Sequence, residues 1–359
     1  MFLEKKNLRL TVYLPFILLC IGIPWFLFCI FLQYFSFEVW DEKSEYIENI
    51  GYLGSFISGA TALVIVALTA LAVYFSNKAY KQEIERVQQQ RFEDHFFHLL
   101  EIHRENVKMM EINTLDGGYI SNNKAILWMF RELVLIIEIF QIKYEIDINN
   151  ANCDSKIGKF INYYSDEPIF KSLLDSVYII EMAFYCFFFG AGKRSNRTLK
   201  YYLDERFSEK INVDELIRLL SNNAFRELVR NEKKFNYKIF GGHQTRLGHY
   251  YRHLYHTTKW IDTAEISEND KYEYYVKKLR IQLNTYEQAL LAINSLTVFG
   301  SDWKKFIMDY KLIKNLPKNF FDDQTELGVE KILKEIQKDL SVEFDNYFEY
   351  QEQKIEKLQ

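Results

Sequence analysis

Residues 51–75 read GYLGSFISGATALVIVALTALAVYF, with no charged side chain anywhere in the run. Wound as a helix at about 1.5 Å per residue, such a run crosses the ~30 Å hydrocarbon layer of a bilayer. Its flanks decide what kind of protein follows. Upstream, Leu10 to Phe35 (LTVYLPFILLCIGIPWFLFCIFLQYF) is equally free of charge. That run is too long for the apolar core of a signal peptide, and it keeps Trp25 and Phe residues where a small-residue cleavage site would stand. Two transmembrane helices are therefore expected, at about 10–35 and 51–75.

Lys5, Lys6 and Arg9 precede the first run, and Lys78, Lys81 and Arg86 follow the second. The short segment between them holds Glu38, Asp41, Glu42, Glu45 and Glu48 against Lys43 alone. By the positive-inside rule both termini are expected in the cytoplasm. The outer loop is too short to be a domain, so the work of the protein is expected on the cytoplasmic side or within the bilayer. In the second run Gly51, Ser55 and Gly59 recur every four residues, with Gly54 and Ser58 as a further pair. Small residues in a row let helices approach closely in lipid, against the first span or against a second copy of the chain.

The average composition conceals this division. The 359 residues are 48% hydrophobic and 26% charged with a net charge of −4, figures that suit an ordinary soluble protein. Residues 1–77, however, hold only four Lys/Arg and six Asp/Glu, which leaves 41 basic and 43 acidic residues for 78–359. That balance excludes a globally basic nucleic-acid binder, so any such contact would have to come from a local patch. Fourteen Gly and four Pro argue for long helices and against a sandwich or a low-complexity chain. Cys20, Cys29, Cys153 and Cys186 form no CxxC pair, so neither a disulfide framework nor a zinc ribbon is indicated.

Past the second run, residues 76–112 contain no Gly or Pro and read as one helix, charged at first and aromatic from Arg91 (RFEDHFFHLLEIHREN). Further helices are predicted at about Asn123–Tyr144, Glu167–Gly190, Val213–Asn231, Thr245–Ala264, Asp270–Leu296 and Leu327–Leu358. Val177–Ala191 is apolar but carries Glu181 and is too short for a membrane span, which makes it a buried core helix. Short strands have a place only near Phe235–Phe240. The expected architecture is all-α: a two-helix membrane anchor at 1–77, a helical stalk at 78–112 and a helical cytoplasmic domain at 113–359.

All seven histidines fall in two clusters, His95, His98 and His103, and His243, His249, His253 and His256. At helical spacing Arg246, His249, His253, His256 and Trp260 share one face, beside an apolar stripe of Leu247, Tyr251, Leu254 and Ile261. Three readings compete for that face. Arg246 and His253 supply a cation and a titratable imidazole one above the other, as metal-independent RNA cleavage requires: the imidazole handles a proton and the guanidinium the phosphate charge. His249, His253 and His256 at i, i+4 and i+7 would instead be zinc ligands, though crowded on one helix and without HExxH. In the third reading the face is a polar packing network, with Arg280, Asn284, Glu287 and Asn294 aligned on the later helix and Glu287 holding a histidine or Arg246. His95 and His98, among phenylalanines, read as core or interface histidines. Gly190–Ser195 (GAGKRS) lacks the first Gly and the Ser/Thr of a phosphate loop.

Gly51–Gly59 (GYLGSFISG), Phe92–Leu100 (FEDHFFHLL), Gly242–Tyr255 (GHQTRLGHYYRHLY) and Leu279–Glu287 (LRIQLNTYE) follow one another along the chain, with 113–230 and the C-terminal tail looking like variable insertions. In that order these segments resemble the bacterial putative phage abortive infection proteins. The resemblance implies a role in defence, in which an infected cell stops growing or dies before phage matures, and places the chain in the bacterial inner membrane. Several other abortive infection proteins are helical nucleases of the HEPN class with an Arg-x4–6-His motif completed across a dimer. Arg246 and His253 fit that spacing, with Leu247 where a small polar residue usually follows the Arg.

The leading expectation is thus a membrane-anchored effector, HEPN-like, with Arg246 and His253 catalytic and His249, His256, Glu287 and Asn284 supporting them. It needs neither metal nor cofactor. Its partners would be the lipid bilayer, a second copy of the chain, RNA, and a trigger protein from phage or defence system. The alternative is a non-enzymatic effector that perturbs the membrane, or an infection sensor whose His/Arg face binds a ligand or partner subunit.

Overall fold

A computed structural model of the chain describes residues 30, 43–151, 153–164, 167–193, 195–316 and 320. Apart from Ile30, the expected first span lies outside the described residues, as does the helix expected at Leu327–Leu358. The chain divides into two compact units, residues 1–92 and 93–359.

In the first unit, helix α1 (Lys43–Lys108) begins at Lys43 and contains the whole second apolar run. Among the described residues it is the one helix long and apolar enough to cross a membrane. Its apolar side chains face outward: Phe56, Ile65, Val66 and Val73 are exposed, and Leu63 is 74% exposed. The hydroxyls of Ser55, Thr61 and Thr69 turn back onto the carbonyls of Gly51, Ile57 and Ile65 at 2.8–2.9 Å, so this stretch satisfies its polar groups internally.

The second unit contains the last turns of α1, which stop at Lys108 where the sequence suggested Ile112; Glu111–Asn113 is instead strand β1. It pairs antiparallel with β2 (Tyr119–Ser121) across a tight turn, in the register Ile112 opposite Ile120. The long α2 (Asn122–Asn149) follows, then α3 (Lys156–Tyr164), α4 (Ser176–Phe189), α5 (Asn196–Phe207), α6 (Val213–Ser221) and α7 (Asn223–Lys233). Helix α8 (Gln244–Asp262) leads to a short α9 (Glu268–Asp270), a π-helical segment at Lys271–Val276, α10 (Lys277–Gln282), α11 (Thr285–Ser295) and α12 (Trp303–Tyr310). The all-α class holds, with one small hairpin.

Helix α4 is the core helix the sequence implied. It packs against α2, α5, α8 and α11, and nearly all of its side chains are buried. Its start is set by Asp175, whose carboxylate accepts from Val177 N at 3.3 Å. Buried Glu181 is held by the Tyr185 hydroxyl and by Arg206 Nε, each at 2.7 Å.

Four predictions need correction. Val213–Asn231 is two helices, α6 and α7, parted at Asn222, whose backbone is extended and whose side chain accepts from Phe225 N at 2.9 Å to start α7. Glu167–Gly190 is helical only from Ser176. Phe235–Phe240 is a loop touching the hairpin through one bridge, Tyr237 to Thr114. Asp270–Leu296 is three helical pieces, because Asn284 starts α11 as an N-cap: its side chain accepts from Glu287 N at 3.0 Å while Glu287 Oε2 accepts from Asn284 N at 2.7 Å. That capping box holds Asn284 in an extended conformation, which ends α10 just before it.

Candidate functional site

The loop before α8 is fastened by two glycines. Gly190 and Gly242 adopt φ +80° and +88°, and a Cβ on Gly242 would stand 2.2 Å from the Phe189 carbonyl oxygen. This contact lets His243 N donate to Phe188 O at 2.9 Å and Ala191 N to Phe240 O at 3.0 Å. His243 is thereby buried with its Nε2 3.1 Å from Glu132 Oε2, while Glu132 Oε1 accepts from Phe240 N at 2.6 Å. Beside them Arg226, also buried, donates through Nε to Leu220 O (2.6 Å) and through Nη2 to Ala191 O (3.0 Å). Burial lowers the pKa of its guanidinium, against the opposing pull of Glu132.

Along α8, the two residues predicted to be catalytic each bond a backbone carbonyl of another segment of the same chain. Arg246 Nε donates to Glu111 O at 2.5 Å, and His253 Nε2 lies 3.0 Å from Leu99 O. A carbonyl only accepts, so Nε2 carries the proton and Nδ1 is the nitrogen left for other work. Both side chains are half-buried and clip α8 to the β1 strand and to the end of α1. His249 and His256 are exposed. Among the described residues no three His, Cys, Asp or Glu side chains converge as a metal site. His95 and His98, expected in packed surroundings, are exposed, His95 with its ring edge-on to Trp260 at 4.8 Å.

Glu287 does meet a histidine, but from the other cluster. His103 Nε2 lies 3.6 Å from Glu287 Oε1, a pairing too long to be a hydrogen bond, and both side chains are 2% exposed. The Tyr250 hydroxyl donates to Glu287 Oε1 at 3.0 Å. Burial pushes the Glu287 carboxyl up to about 7, against the hydrogen bonds from Asn284 and Tyr250. Burial, reinforced by the nearby charges of His253 and Arg104, brings the His103 imidazole down to about 4. Near neutrality the two groups are thus a neutral imidazole beside a carboxyl close to its midpoint. Of the predicted site residues, then, Asn284 and Glu287 are joined directly, and Arg246 and His253 are joined to backbone.

Residues 242–321 match the model of a family described as putative phage abortive infection protein. Through this region the chain is similar to that family. The match supports a role in phage defence. No curated protein and no solved structure matches the chain. The matched region begins at the Gly242 contact, contains all of α8 and the Asn284–Glu287 box, and runs past α12. Glu132 and Arg226, which lock its entrance, lie outside it. Sequence reasoning passed over both, since each sits in an amphipathic helix where a charge normally faces water.

Proposed function

We propose that this abortive-infection protein is anchored in the bacterial inner membrane by its apolar helices, both termini cytoplasmic, and that its helical domain is an infection-responsive effector acting without chemistry at α8. The observation that carries this reading is the engagement of Arg246 and His253: each gives a hydrogen bond to backbone, which suits a fastening role. The outward apolar side chains of α1 support the anchor, because such a surface is stable in lipid and not in water.

A second reading has its own observation. Arg246 and His253 remain half-exposed on one helix face, with His253 Nδ1 available, so RNA cleavage by a HEPN-like pair completed in a homo-oligomer stays chemically open. A trigger from phage or a companion system would act on either.

His253→Gln separates the two in a plating assay with the full chain. The glutamine amide can still donate to Leu99 O but cannot shuttle a proton. Retained protection supports the fastening role and removes the nuclease; lost protection by a folded His253→Gln protein, shared by Arg246→Ala, does the reverse. Leu63→Arg with Val66→Arg tests the anchor, since insertion of two charges at mid-helix is expected to move the protein out of the alkali-resistant membrane fraction. Unchanged fractionation would refute it.

A further inference from the structure

A cavity of about 570 Å³ opens between α4, α8 and the residues leading into α12. That is the size range of small-molecule sites. Rings wall it. Phe189 and Tyr202 stack at 4.8 Å and 12°, and Phe299 meets Tyr202 edge to face at 4.9 Å and 82°. Phe299 nonetheless remains 45% exposed, an aromatic surface open to a planar guest.

The polar groups of the cavity fall into two sets. Tyr251 is 8% exposed, and its hydroxyl has no hydrogen-bond partner among the described residues. Buried Asn294 lines the same cavity. The hydroxyl itself is shut off from solvent, so other atoms of Tyr251 line the cavity. Arg252 and His249, one turn apart on α8, line the cavity as well, and both are exposed to solvent. The carboxylate present, Asp302, already accepts from the Tyr255 hydroxyl at 3.3 Å.

We propose that this cavity binds a nucleotide, its base against the Phe299 and Tyr202 rings, the polar edge of the base at Asn294, and its phosphate at Arg252 and His249. A lipid chain would leave Asn294 and the cations unused. A phenyl side chain would offer a face but no polar edge. Arg246 and His253 do not line the cavity, so the site stands apart from the choice between fastening and RNA cleavage.

The test is thermal unfolding of the full chain in detergent, followed by tryptophan fluorescence, with AMP, GMP, CMP, UMP or inorganic phosphate added. At least one nucleotide is expected to raise the midpoint, saturating below about 1 mM, with phosphate alone inactive. Arg252→Gln changes an exposed side chain and should leave the unliganded midpoint near wild type, whereas Phe299→Ala also loses ring contacts and lowers that midpoint, so it is read by apparent affinity alone. Each is expected to weaken the nucleotide's apparent affinity roughly tenfold or more. No shift with any nucleotide, an equal shift with phosphate alone, or unchanged affinity in both variants would overturn the proposal.

Discussion

Glu287→Gln separates two buried titrations that oppose each other in the wild-type protein. With its pKa raised to about 7 from an ordinary 4.5, folded Glu287 keeps a proton that the unfolded chain releases. Its stabilising contribution is therefore complete below about pH 4.5 and is lost as pH rises through 7. His103, lowered from 6.5 to about 4, has the opposite sign: its contribution is complete above pH 6.5 and is lost as pH falls toward 4. Between pH 4.5 and 6.5 the slopes nearly cancel. Each shift spans about 2.5 pH units, or about 3 kcal/mol. Glutamine can still accept from Asn284 N, so the capping box survives while the falling limb disappears. Urea melts of the full chain in detergent, followed by tryptophan fluorescence, should show the variant gaining about 3 kcal/mol on wild type between pH 4.5 and 8. At pH 4.5 itself the two should be close. A gap that does not change with pH would refute the assignment of a raised carboxyl at Glu287.

The same melts read three further substitutions. Arg226→Met removes the donors for Leu220 O and Ala191 O and leaves both carbonyls buried without them, which is expected to cost about 3 kcal/mol; a loss under about 1 kcal/mol would show the carbonyls rebonding elsewhere. Gly190→Ala places a Cβ 2.3 Å from Gly242 N at φ +80°, so a loss of about 3 kcal/mol or more is expected, and a mild effect would mean that the two loops separate easily. Gly248→Ala is the contrast: inside α8, with no heavy atom within 4 Å of the added methyl, it should stabilise by about 0.5–1 kcal/mol.

How much of this could be read beforehand depends on whether the signal was local. The uncharged run at 51–75, the core helix around Glu181 and the span of α8 are local periodicities, and each appears within a few residues of its expected place. The split of Asp270–Leu296 was also local, since Asn284-Thr-Tyr-Glu287 is a capping-box sequence. It was outweighed by the leucines at 279, 283, 290 and 291, which keep a helical period across the break. The hairpin at 111–121 is too short to alternate visibly. What the sequence could not show was pairing at a distance. Glu287 was expected to hold a histidine, but helical spacing says only which face a residue occupies. The partner, His103, comes from a helix 184 positions away in sequence.

That pairing changes what the two histidine clusters mean. Compositionally they look like one imidazole-rich surface, yet the fold sends their members to three environments. His103 and His243 are buried beside carboxylates, His253 is spent on a backbone carbonyl, and His95, His98, His249 and His256 face solvent. A buried neutral imidazole is an expensive way to fill space when leucine would serve, unless the residues around it need its polarity. At His103 those surroundings are Glu287, Tyr250 and the Arg104 side that meets Gln282 at 2.9 Å, where α1 joins the α10–α11 break. Charging this junction, by deprotonating Glu287 or protonating His103, would destabilise the contact between the end of α1 and the family region. The same α1 carries the apolar run toward its other end. His103→Leu, which removes the rising limb and leaves that of Glu287 unopposed, should steepen the pH dependence of that contact without abolishing the fold. Hydrogen exchange of residues 96–108 at pH 5 and 7.5 would show it; identical pH dependence in variant and wild type would remove His103 from the argument.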